Sequence, residues 1–108
     1  MNAAAATGFS LTAGTDGRVL AAGPLTFATA RAARSAGLAL LGGPGGSAPL
    51  EIDCSGLGAS DSAGLAVMLD WLAIAKHAGR ALRFAQLPPP LAALARISDV
   101  EQLLTRGV

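Results

Sequence analysis

The sequence predicts an α/β domain whose sheet is part parallel and covered by helices. Three observations predict it. Strand and helix patterns follow one another in the order ββαβαβα, with a short terminal helix, an alternation typical of strands joined through helices. Phe9, Leu11 and Ala13 alternate with Ser10 and Thr12, the period-2 pattern of a half-buried strand. A short apolar run, Leu50 to Cys54, is followed by small turn-forming residues and then by a long helical pattern over residues 62–78.

Each element has its own signal. Residues 1–8, M-N-A-A-A-A-T-G, read as a low-complexity, disordered tail. After the first strand, Gly14-Thr15-Asp16-Gly17 is a turn, and its Asp-Gly pair predicts a hairpin. Arg18 to Ala22 forms the second strand, which ends at Gly23-Pro24. A helix is expected over Ala28–Leu41, capped by Thr26 or Thr29, with Arg31 and Arg34 on one face. Gly42 to Ser47 lacks the Lys and Ser/Thr of a phosphate-binding loop and reads as a surface break. Pro49 to Cys54 is the central strand, with acids at Glu51 and Asp53, and a Gly/Ser-rich loop follows it. The long helix stops at Gly79, Ala81 to Gln86 is the last strand, and Pro90 to Ile97 is a helix opened by prolines. Val100 to Thr105 closes the pattern behind Ser98-Asp99.

Composition narrows the function. The 108 residues make one domain, residues 9–106 after the tail, and 25 of them are Ala, so the 52 % hydrophobic fraction overstates the core. With no Tyr, one Trp and three Phe, base-stacking platforms are nearly absent, and a net charge of +1 without a basic run argues against phosphate tracking. No apolar stretch approaches the ~20 residues of a membrane-spanning helix. The N-terminus has no secretion-signal pattern, and a cytoplasmic protein is expected. Cys54 is the single cysteine and reads as a small buried hydrophobe. One Cys and one His far apart make no ligand cluster, so neither a metal nor a cofactor is expected.

The chemistry concentrates at Asp61-Ser62, the start of the long helix. Backbone N–H groups and the positive end of the helix dipole meet there, which suits capping, anion holding or contact with a partner. Ser62 reads as the N-cap with Asp61 beside the dipole, and a hydroxyl exposed there is a phosphorylation candidate whose added charge would alter a partner surface. Hydrolase chemistry does not fit: His77 lies 15 residues along the same helix, roughly 22 Å from Ser62. An acid/base or cation pair of Asp53 and Asp61 is conceivable, with turn and cap work as the commoner fate. On the helix, Leu65, Met68, Leu69 and Leu72 form a core stripe. Val67, Trp71, Ile74 and Ala78 form a second apolar stripe, covered either by a neighbouring helix or by a partner protein.

The segment D-C-S-G-L from Asp53, continuing to D-S-A-G-L from Asp61 and on to Leu69, resembles the signature of the STAS domain. So do G-P-L-T-F-A-T-A from Gly23 and L-P-P-P-L-A-A-L-A-R-I from Leu87. Together these segments cover most of residues 9–104, and the last of them, with Val100 to Leu104, is most similar to the MlaB group. The resemblance implies a single domain with a mixed sheet of about four to five strands and helices mainly on one face. It implies a binding function without chemistry of its own. In the MlaB group the domain docks on the cytoplasmic ATPase of a phospholipid-trafficking ABC transporter that maintains outer-membrane lipid asymmetry. In the anti-sigma factor antagonists the residue at the Ser62 position is phosphorylated by a partner serine kinase. Carried over, the partner-binding residues are Asp61, Ser62, Ala63 and Gly64, with Val67 and Trp71 as extensions. Two positions depart from the family pattern: Ser60 stands where an apolar residue is usual, and Pro24 where an acid is common.

Overall fold

The computed structural model describes residues 8–42 and 48–108. Residues 1–7 of the expected tail and residues 43–47 of the glycine-rich break lie outside the described residues. Among the described residues four strands, β1 (Ser10–Ala13), β2 (Arg18–Leu25), β3 (Leu50–Ser60) and β4 (Leu82–Ala85), form one sheet in the order β1-β2-β3-β4. β1 runs antiparallel to β2, whereas β2–β3 and β3–β4 are parallel, so the sheet is mixed. Among the described residues the helices are α1 (Ala30–Leu41), α2 (Ser62–His77), α3 (Pro89–Ile97) and α4 (Glu101–Arg106).

Alternation along the strands divides the sheet into two faces. Val19, Ala21, Leu50, Ile52, Cys54, Leu82 and Phe84 are buried and form one core with Leu65, Met68, Leu72, Leu91 and Leu104 of the helices. The opposite face carries charge in cross-strand register: Arg18 pairs with Glu51, and Glu51 with Arg83, at 3.3 and 2.5 Å. Helices therefore cover one face and leave the other to solvent, as side-chain alternation on such a sheet requires. The hairpin signal is realised: Asp16 and Gly17 both have positive φ (58° and 77°), as a tight turn matched to strand twist demands.

Two strand ends differ from the sequence reading. β2 continues through Gly23-Pro24 to Leu25, and β3 runs past Cys54 to Ser60, where a Gly/Ser-rich loop was expected. Parallel pairing extends both strands, with Gly23 opposite Leu57 and Leu25 opposite Ser60. Register shifts between Leu20 and Ala22 and between Gly23 and Leu25 absorb the extra residues of β3. Pro24, which has no N–H to donate, falls inside the second irregularity. Departing from the usual apolar residue, Ser60 ends the strand half-buried.

The second apolar stripe of α2 is covered from within the chain at Val67 and Trp71, whereas Ile74 is half-buried and Ala78 is exposed. Val67 and Trp71 are buried, and Trp71 Nε1 donates to the Ala33 carbonyl of α1 at 3.2 Å. Arg34 of α1 pairs with Asp70 of α2 on the rim of the same contact. Val67 and Trp71, the expected extensions of the partner-binding set, are thus buried in the core and offer no exposed side chain, with α1 lying against Trp71.

Candidate functional site

The tip of α2 is built by Asp61 rather than by Ser62. Asp61 is the N-cap, with extended φ and ψ of −139° and −172°, and its Oδ1 accepts the Gly64 N–H at 3.0 Å. Ser62 is therefore the first helical residue, not the cap, and is exposed. A carboxylate one position earlier reaches the free N–H groups of the first turn in an extended conformation, so the hydroxyl of Ser62 is not needed for capping. Ala63 is half-buried and Gly64 buried.

Gly64 serves packing instead of contact. A Cβ at this position would run into the Leu25 carbonyl oxygen at the end of β2, so the bare backbone lets the helix approach the strand. Gly64→Ala is expected to cost about 1–3 kcal/mol of stability in denaturant unfolding, as overpacking of a tight contact does. Of the four expected tip residues, Ser62 is exposed, Asp61 and Ala63 are partly so, and Gly64 faces inward.

The second oxygen of Asp61 reaches another element. Oδ2 accepts the Phe27 N–H at 3.1 Å, tying the β2–α1 connection to the helix tip. These amide N–H groups, Gly64 first and Phe27 next, hold the Asp61 carboxyl below the usual carboxylate range. Asp53 is held low as well, chiefly by the Ser55 N–H. Because both folded values lie below the unfolded ones, the stability they contribute is present above pH ~4 and is lost as pH falls through the folded values. The double variant Asp53→Asn/Asp61→Asn is expected to show a shallower loss of thermal stability between pH 5 and 2, in steps of about half a unit.

Phe27 belongs to the G-P-L-T-F-A-T-A segment but is not among the expected site residues. Its side chain is 83 % exposed beside the tip. The available signal was a lone aromatic between two threonines, Thr26-Phe27-Ala28-Thr29, with no periodic apolar partner. Thr29 occupies the cap position of α1 but makes no side-chain cap. Its hydroxyl accepts the Thr26 N–H and donates to the Pro24 carbonyl, both at 2.9 Å, so it fixes the turn that carries Phe27. This turn also moves the start of α1 from the expected Ala28 to Ala30.

The other chemical candidates separate. Ser62 and His77 terminate one unbroken helix, about 22 Å apart along its axis. Asp53 lies on the charged sheet face, 3.8 Å from Arg18, whereas Asp61 caps α2 roughly 25 Å further along the chain path of β3. They do not form a carboxylate pair. Among the described residues no group of His, Cys, Asp and Glu is placed to hold a metal. Cys54 is buried, and desolvation pushes its thiol up to about 12, which keeps it protonated and inert.

A tip of this kind on a mixed sheet can bind, and the comparisons with known proteins agree with a binding fold. The family model described as "Mlab, STAS domain" matches residues 11–105. The chain belongs to the STAS domain family. The unphosphorylated anti-sigma factor antagonist SpoIIAA is similar in structure, with a TM-score of 0.62 at 14 % identity over 82 % of each chain. The murine solute carrier 26 family member A9 anion transporter, in its inward-facing state, is similar with a TM-score of 0.60 at 19 % identity. That match covers 86 % of this chain but 18 % of the transporter. At these identities the likeness is one of fold. Comparison with curated protein sequences gives no match. STAS domains are generally non-catalytic modules that bind partner proteins. Among the described residues no helix is long and apolar enough to cross a membrane.

Proposed function

We propose that this STAS domain is the accessory subunit of an Mla-type phospholipid-trafficking ABC transporter. It docks on the cytoplasmic ATPase through the tip of α2, without chemistry of its own, and supports the assembly and activity that maintain outer-membrane lipid asymmetry. Its place would be the inner face of the inner membrane, held there by the transporter. The observation that carries the docking site is the division of labour at the tip. Asp61 caps the helix, which leaves the exposed Ser62 hydroxyl for a partner. The MlaB description of the matching family model supports the ATPase as that partner.

The same exposed hydroxyl favours one other reading, an anti-sigma factor antagonist whose Ser62 is phosphorylated by a partner serine kinase. Titration calorimetry against the Mla-type ATPase subunit and against an anti-sigma kinase of the same genome separates the two. The transporter reading predicts saturable binding to the ATPase and an intact mass without phosphate for protein purified from its host. Binding to the kinase alone, with phosphate on Ser62, would replace it by the regulator reading.

A further inference from the structure

We propose that Phe27 is the apolar anchor of the docking surface, that Asp61 is the positioning residue that sets it beside Ser62, and that its occupant is an apolar pocket on the ATPase subunit. The inference rests on the docking role of the α2 tip. A phenyl side chain 83 % exposed offers apolar area to a partner, and here it does not stand on a slack loop. Hydrogen bonds fix its turn from three sides: Thr26 N–H to the Thr29 hydroxyl, that hydroxyl to the Pro24 carbonyl, and the Phe27 N–H to Asp61. The Thr29 hydroxyl is diverted to this turn and does not cap α1.

A ring carried on a hydrogen-bonded turn requires little ordering of the backbone when it enters a pocket, which is the economy of a preorganised anchor. Aromatic side chains of this kind dominate the energetics of protein contacts when they fill a desolvated pocket. One carboxylate couples the two halves of the surface, because Asp61 holds the Ser62 turn with Oδ1 and the Phe27 turn with Oδ2. The chemistry favours a protein over a bilayer. A single ring offers less apolar area than one myristoyl chain, which itself gives only marginal membrane binding. The Asp61 carboxylate beside it also repels anionic headgroups.

The test titrates wild type, Phe27→Ala, Phe27→Leu, Asp61→Ala, the double variant Phe27→Ala/Asp61→Ala and Ser62→Glu against the purified Mla-type ATPase subunit. Vesicles of phosphatidylethanolamine and phosphatidylglycerol are run in parallel. Phe27→Ala is expected to raise Kd by about 30-fold with an unchanged melting temperature, and Phe27→Leu to recover most of the loss. Asp61→Ala should weaken binding much less in the Phe27→Ala background than alone, a non-additivity that a purely structural cap would not produce. A Phe27→Ala Kd within about twofold of wild type, with Ser62→Glu still impaired, overturns the anchor and leaves the docking tip standing. Unchanged affinity in both variants, or no binding by wild type, overturns both. Loss of vesicle binding by Phe27→Ala with ATPase binding intact overturns the anchor in favour of a lipid surface.

Discussion

Trp71→Ala is expected to destabilise the domain by about 3–5 kcal/mol, the range for deleting a large buried aromatic side chain. The ring is 1 % exposed and joins three elements. It stacks on Phe84 of β4 with centroids 6.1 Å apart, meets Phe9 at 5.9 Å, and donates its indole N–H to Ala33 of α1. Its approach to α1 depends on Gly37, where any Cβ would collide with the indole. Removing the ring therefore leaves a void between α1, α2 and the sheet that none of the rigid neighbours can close. A domain of this size has about 5–15 kcal/mol in hand, so the variant should melt far below wild type when followed by circular dichroism. Trp71→Phe, which keeps most of the volume and loses the hydrogen bond, should fall between the two. A loss under about 1 kcal/mol for Trp71→Ala would contradict the packing described here.

Much of this fold was legible because the signals were local. Strict alternation in Phe9–Ala13, the Asp16-Gly17 turn and the uninterrupted pattern of residues 62–78 each specify an element without reference to the rest. The strand ends were not legible, because the residues from Ser55 to Ser60 have loop composition and are held extended only by pairing with β2. Trp71 illustrates a related limit. Its wide apolar stripe called for a cover, but only the small residues Ala33 and Gly37 on another helix reveal that the cover is α1. The site was half legible. The Asp61-Ser62 pair announced a helix start, yet which of the two caps depends on backbone angles, and Phe27 joins them only through a contact spanning 34 positions in the chain.

Ser62→Glu is expected to weaken binding to the ATPase by about 100-fold while leaving the fold intact. Glu is a good helix former, and a carboxylate in the first turn is favoured by the dipole, so the variant should melt at or slightly above the wild-type temperature. In a contact, that carboxylate would have to be desolvated beside Asp61, whose own charge is already spent on two backbone N–H groups. An uncompensated charge in an interface costs about 2–5 kcal/mol, which sets the size of the expected loss. Ser62→Ala is informative as well, because Asp61 keeps the cap and any effect reports the hydroxyl alone. The decisive measurement is the calorimetric Kd of Ser62→Glu for the Mla-type ATPase subunit, taken with its melting temperature. A Kd raised about 100-fold at an unchanged melting temperature is the predicted result, and a Kd equal to that of wild type would contradict the docking of this helix tip.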